Sequence, residues 1–177
     1  MSAVGYSPVA TKAQVDALAA SIPVSSFVSE TPMTIAQLHT NFAPTAANRF
    51  KYARVTDLYS EVPASQGGVL INETGAHWQP LRPYRVGSFS GDANKTILPL
   101  FSPPEIIFTG ALTAARTMSI GTQYVYPGLR YHIKREAGGT LLGLVLAGLG
   151  ISLGVNGWSI VEYDGTAWKN IASSGLL

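Results

Sequence analysis

Leu70-Ile71-Asn72-Glu73-Thr74-Gly75-Ala76-His77-Trp78 and Ile160-Val161-Glu162-Tyr163-Asp164-Gly165-Thr166-Ala167-Trp168 decide the fold class. Each is an apolar, β-prone run, then a Thr-Gly or Asp-Gly turn signal, then a Trp three residues past the glycine. The glycine permits the positive φ of a tight hairpin turn, and the indole can fold back over the first strand. Gly75 and Gly165 are therefore expected turn residues, and Trp78 and Trp168 the hairpin anchors. Leu81 and Ile171 come after them at equal spacing, and Gly67 and Gly157 correspond upstream. Two copies make a structural theme, whereas a solenoid needs three or more stacked units.

Outward from these hairpins, the chain from Phe50 on is a series of short apolar runs split by Gly and Pro. Strands are expected at Tyr52–Leu58, Val69–Asn72, Trp78–Leu81, Ile97–Phe101, Glu105–Thr109, Thr117–Ile120, Tyr124–Tyr126, Arg130–Lys134, Leu141–Leu146, Leu149–Val155, Ser159–Tyr163 and Trp168–Ala172. Pro80 and Pro83 keep their segment out of any central strand, because proline donates nothing to the ladder. Gly87–Lys95 is polar and reads as a linker. The fold class is mainly β, a β-sandwich or jelly roll with Trp-anchored hairpins. Two short capped helices precede it. Thr11-Lys12-Ala13-Gln14 and Thr34-Ile35-Ala36-Gln37 both have capping-box spacing, and Pro23 and Pro44 end the two helices. Val24–Ser29 between them reads as extended. The expected divisions are an arm at 1–48, a small β module at 49–90 and a sandwich at 91–177.

Charged residues are only 12% of the 177-residue chain, against 18 Gly and 11 Pro. That is about half the usual charged share, so much of the surface is expected to be covered by other subunits or partners. A formal charge of +2 with scattered basic residues does not suit nucleic acid. Absence of cysteine excludes disulfides, thiolate metal sites and cysteine nucleophiles. The start lacks a basic, long-apolar secretory leader, which points to synthesis and folding in a cytoplasm.

Ala137–Val161 carries no charge and is long enough for a membrane span. Its core alternates with a period of two, which places Leu149, Ile151, Leu153 and Val155 on one strand face. A helix would scatter them, and seven glycines between 138 and 157 would weaken it. The strand reading makes those four residues core or oligomer interface and predicts no membrane span.

Chemistry is sparse. His39, His77 and His132 lie far apart and out of metal-ligand spacing, so no metal is expected, and His77 reads as a solvated turn residue. Glu162 and Asp164, two apart, would share a face if both lay in a strand, as a glycosidase's catalytic carboxyl pair could, but Asp164 before Gly165 is explained as a turn former. No nucleophile elbow or phosphate loop occurs, and no cofactor is expected. Tyr124, Tyr126 and Tyr131 are candidates to line one sheet face, where exposed aromatic rings could grip a sugar, although aromatic residues in a β protein are more often core.

Tyr52-Ala53-Arg54-Val55-Thr56-Asp57-Leu58-Tyr59 with Gly75-Ala76-His77-Trp78-Gln79-Pro80-Leu81-Arg82-Pro83 resembles small structural and fibre-attachment modules of tailed bacteriophages. Tyr126-Pro127-Gly128-Leu129-Arg130-Tyr131, with the Trp158–Trp168 stretch and Gly175-Leu176-Leu177, resembles the β-sandwich ends of phage tail fibres and tailspikes. The resemblance covers about two-thirds of the chain, from about residue 50. It departs from tailspikes in having no long repetitive β-helix body, where their catalytic carboxylates lie, so no catalytic residue carries over. It implies a non-enzymatic virion protein, a homotrimeric outer decoration or short fibre docked by its N-terminal arm on capsid, portal, adaptor or tail. The alternative it leaves is a receptor-binding tail fibre protein that recognises host surface glycan.

Overall fold

The computed structural model describes residues 26–29, 31–61, 67–81, 86–89, 92–136 and 143–177. The chain is mainly β. Helix α1, Ile35–Asn41, starts where expected: Thr34 accepts from the Gln37 backbone N–H, and the Gln37 side chain accepts from the Thr34 N–H. This reciprocal cap satisfies two donors that have no partner within the helix. A third, Ile35 N–H, donates to Asp57 Oδ1 at 2.8 Å. Burial of Ile35 and Leu38 holds this short helix to its sheet. The other expected helix, at 11–22, lies outside the described residues.

The smaller sheet is antiparallel, in the order β1 (Tyr52–Val55), β2 (Gly68–Ile71), β3 (Gln79–Pro80). Pro80 lies on the edge strand, the place a residue without an N–H tolerates. Phe27 forms a bridge with Tyr52, in keeping with an extended segment before α1.

The larger sheet contains β4 (Val86–Phe89), β5 (Lys95–Ile97), β6 (Glu105–Phe108), β7 (Arg116–Ile120), β8 (Arg130–Arg135), β9 (Leu144–Leu146), β10 (Ile151–Tyr163) and β11 (Trp168–Leu176). Its pairings are antiparallel around β10 and parallel elsewhere. β4, β6 and β8 are parallel neighbours, and so are β5, β7 and β9. Parallel strands need a long crossover, and here each crossover contains a strand of the opposite run. The chain therefore coils, alternating between two parallel runs, from β4 to β9. The segment expected to be a linker, Gly87–Lys95, carries most of β4 and the first residue of β5.

β10 joins the two runs. Its first residues, Ile151–Leu153, pair with β9, and Trp158–Glu162 pair with β8. Two expected strands, Leu149–Val155 and Ser159–Tyr163, are thus one. Between Leu153 and Trp158 the register against β11 shifts, and Asn156 takes a φ of 60°. The bend brings two glycines together: a Cβ on Gly157 would lie 2.5 Å from the Gly175 carbonyl oxygen. Any side chain there would part the strands.

Inward residues of both runs share one core with the smaller sheet: Ile97, Ile106, Phe108, Met118, Ile133, Leu144 and Leu146 meet the cluster that includes Ile35, Leu70 and Trp78. Arg135, almost fully buried, donates from Nη1 to the Leu153 carbonyl at 3.0 Å, and burial lowers its pKa. Two further expected strands end early. Beyond Ile97 the chain turns, with the Leu98 N–H donating to Ser102 Oγ, and Tyr124–Tyr126 lies outside any strand, Tyr124 taking a φ of 62° in a turn. No helix of the described residues is long and apolar enough to cross a membrane.

Candidate functional site

The two Trp motifs form different turns. In the second, Tyr163 pairs with Trp168, and Asp164 Oδ1 accepts from Thr166 N–H, Thr166 Oγ1 and Ala167 N–H at 2.7–2.8 Å. Those bonds hold the Asp164 carboxyl down to about 2, and Gly165 takes a φ of 104°. In the first, Thr74 at the position of Asp164 accepts the Ala76 N–H at 3.2 Å, and Asn72, two positions earlier, receives the Gly75 N–H on Oδ1 at 2.7 Å. The strands resume pairing only at Ile71 and Gln79, so the loop is longer. Trp78 is wholly buried and donates to the Phe42 carbonyl at the end of α1, at 3.0 Å. Trp168 is half-buried between Tyr131 and Tyr163 and donates to the Gly121 carbonyl at 3.1 Å.

Of the three tyrosines weighed as core or sugar platform, two lie in the core. Tyr131 is buried in the core by the inward phase of β8, and burial raises its phenol strongly. Tyr126 is also buried, its phenol pushed up to about 12 by burial. Tyr124 packs on His39 and Phe101. A sugar platform needs open ring faces, and the core has taken those of Tyr126 and Tyr131. Both line a small apolar cleft of about 210 Å³, with Tyr59, Pro80, Leu129 and Arg130.

Of the four residues expected on one strand face, Ile151 and Leu153 are buried. Leu149 falls in the turn before β10, between the positive-φ glycines 148 and 150. Val155 lies in the bulged bend and is 43% exposed. Strict alternation requires regular pairing, which holds for only part of this segment.

Each histidine stands against a different aromatic ring: His39 on Tyr124, His77 stacked on Tyr126 with a 14° tilt between planes, and His132 edge-on to Trp158. His77 is thus packed, in contrast to the expected solvated turn residue. Burial lowers the pKa of all three; Glu73 opposes this at His77, and at His132 Lys134 adds to it while Glu105 opposes it. Among the described residues no three metal-ligating side chains gather.

Seven carboxylates hold the structure together. Glu61 takes the Lys95 ammonium at 2.9 Å and the buried Ser102 hydroxyl at 2.6 Å, which ties the small module to β5. Asp92 binds Arg116 at 2.7 Å and Thr113, which hold its carboxyl well below the usual range. Glu105 pairs with Lys134, Glu162 with Arg130, and Asp57 and Asp164 take backbone donors. Glu73 accepts from Gln79. The two carboxylates weighed as a catalytic pair, Glu162 and Asp164, thus have separate tasks. The long-range pairs were invisible in sequence, because their members lie 24 to 34 residues apart with no shared motif.

Comparison with protein-family models, with curated proteins and with solved structures finds no match for this chain.

Proposed function

We propose that this chain is a non-enzymatic structural component of a tailed-phage particle, an outer decoration or short fibre that works by adhesion to the particle and to sister chains. The observation that supports it best is the use of its carboxylates. Seven of the acidic side chains are engaged in ion pairs, helix capping, turns and side-chain hydrogen bonds, as a load-carrying module requires. The β10–β11 hairpin, which carries the fibre-end resemblance, is a long and half-exposed pair suited to contact. A β-sandwich remains the finer architecture proposed from that resemblance, and a homotrimer the proposed assembly.

Immunoblotting of density-purified particles tests this reading: the chain should co-band with them, and its absence would sink the idea. A second reading, a receptor-binding tip for host glycan, draws on the cleft beside Tyr126 and Arg130. Arg130 is well exposed, so Arg130→Ala should abolish glycan-array binding without unfolding the chain if that reading holds.

A further inference from the structure

Of the six asparagines in the chain, Asn156 alone precedes a glycine. An asparagine amide can close a five-membered ring on the next residue's backbone nitrogen, and a glycine there has no Cβ to obstruct the closure. The fold leaves this amide open. Asn156 is exposed, in the bend of β10 where its φ is 60°. Neither neighbour holds the bend in register: pairing with β9 stops at Leu153, pairing with β8 starts at Trp158, and the β11 register shifts between the same two residues. Asn48, Asn72, Asn94 and Asn170 all engage their amides in hydrogen bonds. The Asn156 amide makes none among the described residues. The one Asp-Gly of the chain gives the contrast, because Asp164 Oδ1 before Gly165 already holds three donors.

We propose that Asn156 is a site of self-modification. The Gly157 nitrogen, its proton passed to solvent, attacks Asn156 Cγ. The new N–C bond closes a cyclic imide as the Cγ–Nδ2 bond breaks, and Nδ2 takes up a proton and leaves as ammonia. Water then opens the ring. Attack at Cγ gives an aspartyl residue, and attack at the main-chain carbonyl gives an isoaspartyl residue with one more methylene in the backbone. Either product adds a carboxylate to the bend. The isoaspartyl product also lengthens the chain where there is no slack, since a Cβ on Gly175 would lie 2.6 Å from Gly157 Cα. The change therefore falls on the hairpin of β10 and β11, which loosens with the age of the chain, irreversibly and without an enzyme. The inference does not rest on the virion reading.

Peptide mass mapping of the folded, full-length chain during prolonged incubation at mildly alkaline pH tests it. The peptide that holds Asn156 should gain about 1 Da, at least about tenfold faster than any peptide holding another asparagine, and should split into aspartyl and isoaspartyl forms. Asn156→Gly keeps the positive φ and should abolish the gain at that peptide. Hydrogen exchange of the β10–β11 amides should be faster in the converted chain than in Asn156→Gly treated alike. No gain at Asn156 in the folded chain overturns the proposal, and so does a gain that comes first at another asparagine. Equal exchange in the converted chain and in Asn156→Gly overturns the loosening of the hairpin.

Discussion

Trp78 and Trp168 each sit three residues past a positive-φ glycine, and each indole donates to a backbone carbonyl far away in the chain. Trp78 nevertheless lies wholly in the core and ties the small sheet to α1, while Trp168 stands at the border of the larger sheet between two tyrosines. The two turns are closed by different sets of bonds. Asp164 closes a short turn that makes Trp168 a strand residue opposite Tyr163. Asn72 binds from two positions earlier, its N–H and carbonyl already engaged with Lys51 and Phe50, and leaves Trp78 in a longer loop that folds inward. Equal spacing of Gly and Trp thus recurs in both hairpins, while the loop length and the depth of the ring differ.

The largest test of that contrast is Trp78→Ala. A fully buried Trp should cost about 3–5 kcal/mol through lost burial and a cavity, with the Phe42 carbonyl left unpaired. Trp168→Ala should cost about 1–3 kcal/mol, since only part of the ring is buried. Chemical denaturation measures both, and equal losses would break the comparison. Gly75→Ala comes next: positive φ costs about 1–2 kcal/mol, and the new Cβ would meet the Ala46 backbone at 3.1 Å. Gly165→Ala bears the φ cost alone, because its nearest neighbour, Pro127, lies at an ordinary 3.5 Å. Reversal of that order would show that Ala46 gives way.

Acid sharpens the contrast further, with smaller effects. The Asp164 carboxyl is depressed from 3.8 to about 2, so its stabilising contribution is full above about pH 4 and fades as pH falls toward 2. Asp164→Asn should remove that acid dependence, whereas Asn72→Ala should leave it in place. Near neutrality the histidines act: all three are lowered from 6.5, so the folded chain resists their protonation. Their contribution is full above about pH 6.5 and declines as pH falls through the lowered values. Melting temperature should therefore fall between pH 7 and 5, and His77→Gln, at the first hairpin alone, should flatten part of that slope.

Local rules were sufficient for much of the chain. Hydrophobic periodicity and turn chemistry located α1, both Trp hairpins, β6, β7 and β8, because capping, alternation and the Asp-Gly turn act within a few residues. They located Ile151 and Leu153 as buried; Leu149 packs partly against the core from a turn, and Val155 is exposed in a bulge, positions that depend on pairing with β9 and β11. They left Tyr126 and Tyr131 open between core and sugar platform, with core favoured, since an aromatic side chain reads alike at a surface and in a core.

The amino-acid sequence by itself determined the β-rich class, the turns and the low charge, all properties of composition and near neighbours. Tertiary structure alone decided that successive strands alternate between two parallel runs, that β10 bridges them, and that β11 pairs with β10. Successive strands share no repeat that would announce the coil, and strand partners 19 to 28 residues apart are selected by shared burial and ladder hydrogen bonds. Those bonds are the same for every side chain, so the pairing leaves no mark in any local stretch of sequence.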